Sequence, residues 1–295
     1  MKLYDTHQAS ADISPVAPDL FLSGVHIPAH STFVSFHPYM LAICCRGAEE
    51  AWPISRVVPH CSSHSPLSPL GRVGLRSCAL EIIMIYDLHT HHHPILPGEA
   101  VVQLSPDAFV PQPGHLYSVG LHPWDVGGDW RVSMASLLVM ALHPQVVMVG
   151  ETGVDKINGT AGIELQVEVF REHVKLSELV CKPLIVHCVK AIDEILAVRK
   201  ELRAQMPWVI HGFRGGVEQA KQLVRAGIFM SVGGRFDEEL LRALPLDGIL
   251  VESDELSDVG VVYERVGAIK GVEVAELKQH VANNIYDFLT SYRTE

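Results

Sequence analysis

The sequence lacks the marks of membrane, secreted and cysteine-zinc proteins. No apolar run approaches the roughly 18 residues that a membrane span requires, and the first residues have neither the basic region nor the apolar core of a signal peptide. The cysteines show no paired C-x-x-C spacing, which favours reduced thiols over a cysteine zinc site. We therefore expect a cytoplasmic protein that does not contact a membrane.

Positive charge is also scarce in this chain. Lysine and arginine number 23 against 34 aspartates and glutamates, for a formal net charge of −11. An acidic protein does not hold nucleic acid through bulk electrostatics. An anionic substrate would need local positive charge, from side chains or from metal.

Composition divides the chain at Met84. Residues 1–83 are rich in Pro and Ser and show no sustained 3.6 or 2.0 periodicity, so they are predicted to be mostly irregular. We interpret residues 84–295 as a single domain, and residues 1–83 as an irregular or non-native extension, with Met84 as the candidate true start. The alternative is a functional N-terminal appendage.

Short apolar runs alternate with helical patterns after Met84. This alternation predicts parallel strands, and eight such units predict a closed α/β barrel of the TIM type, (β/α)8. Only Pro- and Gly-rich loops join the first three strands, so the barrel is expected to be trimmed and distorted there. The predicted strands are 85–89, 100–104, 116–121, 146–151, 183–187, 208–212, 228–232 and 249–254. The predicted helices are 130–142, 163–180, 190–204, 216–226, 237–243 and 273–290.

Four histidines crowd the end of the first predicted strand, in "DLHTHHHP". His89 and His91 lie two residues apart, so in an extended strand they share one face and can converge on one ion. His92 breaks this alternation and His93 precedes a proline. We expect these two to face solvent.

Lone ionisable residues follow four later apolar runs: Glu151, His187, His211 and Asp254. The carboxyl ends of barrel strands meet at one mouth, where active sites form. Burying such groups without partners is costly, so their convergence predicts a metal site at the carboxyl ends of the strands. The alternative is a set of separately satisfied core histidines.

This constellation resembles the TatD family of metal-dependent hydrolases over nearly all of residues 84–295. The resemblance implies that His89, His91, Glu151 and Asp254 hold one metal, and that Glu151 bridges to a second, completed by His187 and His211. The motifs, in the order of the family, are "DLHTH" (87–91), "GLHPW" (120–124), "GETGVD" (150–155), "PLIVHCVKA" (183–191), "IHGFRGG" (210–216) and "ESD" (252–254).

The sequence departs from the family pattern at three places. Val189 stands where the family usually has arginine, Arg214 replaces a common serine, and the usual "ETD" has Ser253 at its centre. None of these changes removes a ligand. They alter the rim that faces the substrate, and so leave the substrate open.

Two divalent cations, zinc, manganese, iron or magnesium, would let such a site cleave phosphodiesters, with Asp254 as general base. The leading hypothesis is a TatD-type deoxyribonuclease acting on strand ends, with nucleic acid or another phosphate compound as substrate. The alternatives are ester or amide hydrolysis, on an aminoacyl-tRNA or a small metabolite, and a metal-binding protein that has lost catalysis. No obligate protein partner is indicated.

Further residues near the predicted mouth are candidates for substrate contact. His122 would contact the substrate or leaving group, as the resemblance implies, or orient a ligand. Trp124 is able to stack on a base, but we expect it to pack beneath a loop. Four cations fall shortly after strand ends and would form a positive funnel for phosphate: Lys156, Lys190, Arg214 and Arg235.

A chain that begins at Met84 is expected to fold, bind metal and match the full chain in activity and melting temperature, because every proposed ligand lies between His89 and Asp254. Circular dichroism melting and elemental analysis of both chains test this. An insoluble product, or one that melts far lower, would mean that residues 1–83 are structural.

Overall fold

Eight strands of the described residues form one parallel series. The structure is a computed structural model that describes residues 84–93 and 96–291, so the extension predicted over 1–83 lies outside the described residues. The strands are β1 (Asp87–Thr90), β2 (Ala100–Leu104), β3 (Leu116–Val119), β4 (Val146–Asp155), β5 (Leu184–Val189), β6 (Trp208–Ile210), β7 (Ile228–Val232) and β8 (Leu250–Val251). Each pairs in parallel with the next along the chain.

The barrel closes where the segment after β8 meets β1. Asp254 forms an isolated parallel bridge with Thr90. The Asp254 N–H donates to the carbonyl of His89 at 2.9 Å, and its carbonyl accepts from the N–H of His91 at 3.2 Å. The predicted TIM-type barrel is confirmed, and its closure brings the first and last candidate ligands together.

Helices follow β3 and each later strand. Among the described residues no α-helix lies between β1 and β3, where a single 3₁₀ turn, Pro106–Ala108, is found, so the predicted trimming of the first two units is confirmed. No helix in this part of the chain combines the length and apolarity needed to cross a membrane. The helices are α1 (Trp130–Ala141), α2 (Ile163–Val180), α3 (Ile192–Leu202), α4 (Val217–Arg225), α5 (Glu238–Ala243), α6 (Gly260–Lys270) and α7 (Val274–Thr290).

Helix α6 was not predicted from the sequence. It carries several valines and an internal glycine, Gly267, which are weak helix formers. Val262, Tyr263 and Val266 are nevertheless buried in the core. Packing of these side chains stabilises a helix that local propensity does not favour.

Strand β4 is longer than predicted and is irregular around Glu151. Its register with β5 shifts between Val149 and Thr152, as in a β-bulge. Gly150 has a φ of +115°, and a Cβ there would lie 2.3 Å from the carbonyl of Ile185, so only glycine fits. The strand then continues to Asp155. Glu151 therefore enters the barrel mouth from the middle of a strand and not from its end.

Buried apolar side chains fill the barrel beneath this mouth. They belong to one cluster that joins strands from both halves of the barrel, which can meet only in its interior. Strands covered on both faces are expected to be continuously apolar, as these runs are. The interior members include Val101, Met148, Ile185 and Val209.

A buried histidine on α2 supports the loop after β3. His173 Nε2 accepts from the backbone N–H of Leu121 at 3.0 Å, and its Nδ1–H donates to the carbonyl of Val169 at 2.9 Å. The ring is therefore neutral with the proton on Nδ1, and in this tautomer both ring nitrogens have a hydrogen-bond partner. Burial lowers the pKa of His173 to about 4.

The unfolded chain should take up a proton at this position near pH 6.5, whereas the folded protein should not do so until about pH 4. The contribution of His173 to stability is thus present above pH 6.5 and is lost as pH falls, by about 3 kcal/mol at most. We expect His173→Gln to weaken folding at pH 7 and to flatten the fall in stability between pH 7 and 4.5. Urea unfolding of both proteins across this range measures the difference. Parallel pH curves would contradict a neutral buried imidazole.

Candidate metal centre

The carboxylate of Glu151 lies at the centre of the barrel mouth, and its two oxygens face different histidines. Oε2 is 3.3 Å from His89 Nε2 and 3.4 Å from His91 Nε2. Oε1 is 2.6 Å from His187 Nδ1 and 2.7 Å from His211 Nε2. One side chain therefore joins two separate pairs of imidazoles.

Asp254 completes the first of these groups. Its Oδ1 lies 3.8 Å from His89 Nε2 and 3.7 Å from His91 Nε2. The backbone that closes the barrel holds it there, with a left-handed φ of 55°. Burial raises the pKa of Asp254, and the nearby carboxylates of Glu252 and Glu151 add to this rise.

The buried atoms of the site fit divalent cations. In the described part of the chain, His89 Nε2 and Glu151 Oε2 are buried and have no hydrogen-bond partner. Leaving such atoms unsatisfied is costly, and a cation between them would remove the cost. Mixed imidazole and carboxylate donors suit Zn²⁺, Mn²⁺ or Fe²⁺, while Mg²⁺ prefers more oxygen. Groups with ligand atoms close enough to share an ion include His89–His91–Glu151, His89–His211–Asp254 and His122–Glu151–His187.

The electrostatics of this buried cluster are strongly coupled. Burial alone would raise the pKa of Glu151, but the imidazoles of His211, His122 and His187 hold it well below its ordinary value. Burial likewise opposes protonation of His211, yet Glu151 and Glu252 raise its pKa well above the ordinary value. The site is therefore arranged to balance negative charge at Glu151 with positive charge around it.

A carboxylate lies behind each histidine of the second pair. Asp155 Oδ2 is 3.3 Å from His187 Nε2, and Glu252 Oε1 is 3.4 Å from His211 Nδ1. Such partners fix the tautomer and direct the other ring nitrogen toward a metal. Both residues lie within the sequence motifs "GETGVD" and "ESD" and follow apolar strand residues, but no role was predicted for either.

Asp155 is held by several donors. Its carboxylate accepts from the backbone N–H groups of Ile157 and Asn158 and from the indole N–H of Trp124, each at 2.8 Å. Although burial works in the opposite direction, these hydrogen bonds hold the pKa of Asp155 below its usual range. The carboxylate is thus an anion that anchors His187 and the loop after β4.

Asp87 links the two ends of the barrel beneath the first group. Its Oδ1 accepts from the backbone N–H of Ser253 at 2.9 Å and of His89 at 3.3 Å. Burial raises the pKa of Asp87 to about 6. It positions the backbone of His89 rather than reaching the mouth itself.

His122 lies beside the second group, three residues beyond the end of β3, which is shorter than predicted. Its Nε2 is 3.1 Å from Glu151 Oε1 and 3.2 Å from His187 Nδ1. Its Nδ1 accepts from the backbone N–H of Trp124 at 3.2 Å. In the neutral ring, Nε2 therefore carries the proton and points to the centre of the site.

The four predicted cations do not all reach the mouth. Lys190 and Arg214 line the cavity there, which has a volume of about 1100 Å³. Lys156 is not among the lining residues and pairs with Glu194 at 2.7 Å, and Arg235 is exposed outside the cavity. Carboxylates outnumber these two cations, so side chains alone form no positive funnel. The lining carboxylates are Asp125, Glu151, Asp155, Asp193, Asp254 and Glu255.

The fold and the site define the class: a (β/α)8 barrel with an imidazole–carboxylate centre for divalent cations at its mouth. The chain belongs to the TatD family, since the model for TatD-related DNases matches residues 111–290. His89 and His91 precede the matched residues, and the other candidate ligands lie within them.

Several curated proteins resemble this chain. The uncharacterized metal-dependent hydrolase YcfH of Escherichia coli K12 is 31% identical over 191 residues, which cover 57% of this chain and 71% of YcfH. The 3'-5' ssDNA/RNA exonuclease TatD of Klebsiella pneumoniae is 31% identical over 147 residues. That match covers 46% of this chain and only 56% of the relative. The crystal structure of the TatD homologue YJJV of Escherichia coli has a TM-score of 0.61 at 19% identity, covers 72% of this chain and 99% of its own, and supports the fold alone.

Alanine substitution of the neighbouring histidines tests which of them bind metal. His89→Ala or His91→Ala is expected to lower metal affinity by more than about 100-fold. Replacing a residue that only hydrogen-bonds to a metal ligand already lowers affinity by about 10–100-fold, and loss of the ligand itself should have a larger effect. His92→Ala and His93→Ala should retain the metal, since both side chains are exposed and His92 Nε2 lies 3.1 Å from the carbonyl of Glu255. Elemental analysis after dialysis gives the metal content of each variant. Equal loss in all four would mean that the segment binds metal in another way.

Proposed function

We propose that this protein is a metal-dependent phosphodiesterase, a nuclease of the TatD type that acts on the ends of single-stranded nucleic acid. The observation that carries the proposal is the placement of Glu151 between two histidine pairs, with one oxygen toward each. The relative named as a 3'-5' ssDNA/RNA exonuclease supports the same substrate class.

Two cations are the number that this geometry favours. His89, His91 and Asp254 would hold one with Glu151 Oε2, whereas His187 and His211 would hold the other with Glu151 Oε1. When bound, the pair would supply Lewis acidity at the phosphodiester and activate a water molecule for attack.

Asp254 is the group that would take the proton from the attacking water. Its side chain is 27% exposed, toward the cavity that it lines, so a carboxylate oxygen is accessible to a water molecule there. His122 would donate its Nε2–H to an oxygen of the substrate, because its Nδ1 is already occupied by the N–H of Trp124. The two residues thus supply a base and a donor.

The size of the cavity is compatible with a large substrate. Its volume of about 1100 Å³ is close to the upper end of the range of roughly 300–1,000 Å³ of sites for small molecules. The cavity therefore has room for a terminal nucleotide. Lys190 and Arg214 are the side-chain cations available there for phosphates outside the metal centre.

Replacing the proposed base tests catalysis directly. Asp254→Asn is expected to lower kcat on end-labelled single-stranded DNA by about 10²–10⁴-fold, because the amide cannot accept the proton. Asp287→Asn is a matched control, since Asp287 is exposed on α7 and lies outside the cavity. Both variants are assayed with Mg²⁺, Mn²⁺ and Zn²⁺.

The same assay separates the alternatives. Turnover of a mischarged tRNA without cleavage of DNA would indicate ester hydrolysis. Metal binding without turnover of any substrate would indicate lost catalysis. Equal kcat for Asp254→Asn and the unchanged protein would remove Asp254 as the base.

A further inference from the structure

Trp124 is exposed at the rim of the metal centre, which differs from the expectation that it packs beneath a loop. Its side chain is 47% exposed and lines the cavity. The other described tryptophans, Trp130 and Trp208, are 7% and 0% exposed. Exposure of so large an aromatic ring beside a catalytic centre calls for an explanation.

The Trp124 ring is held in a defined place. Its indole N–H donates to Asp155 Oδ2 at 2.8 Å, and its backbone carbonyl accepts from the hydroxyl of Thr160 at 2.7 Å. The ring centroid is 4.8 Å from that of His122 and 5.9 Å from that of His187. Because its only polar side-chain atom is engaged by Asp155, the ring offers the cavity apolar aromatic surface.

A second apolar side chain shares this rim. Ile157 is 65% exposed and lines the same cavity. Its backbone N–H donates to Asp155 Oδ1 at 2.8 Å, so the carboxylate that holds Trp124 also holds the loop carrying Ile157. Two exposed apolar groups are thus fixed on a rim that is otherwise rich in carboxylates.

We propose that Trp124 and Ile157 form a subsite that stacks the base of the nucleotide next to the scissile phosphodiester. The inference rests on the proposed nuclease function and names how that site holds its substrate. Carboxylates near the subsite repel phosphate, but they do not repel a neutral planar base, and the base gains contact with the aromatic ring. Stacking of this kind tolerates every base, because each has a π face.

Asp155 couples the subsite to the metal centre. Its Oδ2 lies within reach of both the Trp124 indole N–H and His187 Nε2. A substitution at Trp124 is therefore able to act in two ways, by removing the ring or by releasing Asp155. Trp124→Phe keeps an aromatic face without the N–H, and Trp124→Leu loses both, so the pair separates these effects.

The test compares single-stranded oligodeoxynucleotides that are identical except for an abasic residue in place of the terminal nucleotide, at the 3' end or at the 5' end. The unchanged protein is expected to prefer the complete substrate by about tenfold or more in kcat/KM at the end that it attacks, given about 1–3 kcal/mol per stacked base. Trp124→Leu should bring the ratio near one, and Trp124→Phe should retain most of it. Tyr286→Leu is the control, since Tyr286 is 48% exposed on α7 and lies outside the cavity.

An equal fall on complete and abasic substrates in Trp124→Leu would overturn the subsite and leave Trp124 as a support for Asp155. Failure of the unchanged protein to cleave any nucleic acid would instead refute the nuclease function. In that case, binding of dAMP and of deoxyribose 5-phosphate is compared by isothermal titration calorimetry in EDTA. A response to dAMP alone that Trp124→Leu abolishes supports the subsite, and equal responses to both compounds overturn it.

Discussion

The buried carboxylate of Glu151 is the interaction on which the rest of the mouth depends. The residue is 1% exposed, and the imidazoles of His211, His122 and His187 keep its carboxylate negatively charged. Its position in turn requires the irregularity in β4, and Gly150 is the residue that permits the close approach of β4 to β5. The conformation of β4 is therefore determined by the site as much as by the sheet.

Closure of the barrel positions Asp254, a candidate ligand that lies outside β4. The bridge between Thr90 and Asp254 sets the distance from Asp254 to the first histidine pair, and Asp87 ties the same two segments through backbone N–H groups. The described residues include no α-helix between β1 and β3, yet the barrel keeps this geometry, because the contacts that define it run between strand ends rather than between helices. A reduced set of outer helices is thus compatible with a barrel mouth that holds all of the candidate ligands.

Much of the fold was predictable because its signals are local. Apolar runs bounded by loops located all eight strands, and alternation along β1 separated His89 from His92. The extension of β4 to Asp155 was not predictable, since the apolar run ends at Glu151 and the bulge depends on contacts with β5. The carboxylates behind His187 and His211 were missed for a similar reason: their partners are distant in sequence, and a lone carboxylate does not indicate which imidazole it meets.

The distribution of charge explains how an acidic protein would bind a polyanion. Of four cations expected at the mouth, Lys190 and Arg214 line the cavity, and carboxylates outnumber them there. A residue at the end of a strand has its backbone near the mouth, but a long side chain is able to extend away from it toward an opposite charge. Lys156 does so by pairing with Glu194. Phosphate recognition would therefore fall mainly to the bound cations. The side chains around them would then be left to discriminate by shape and aromatic contact, which do not require a positive surface.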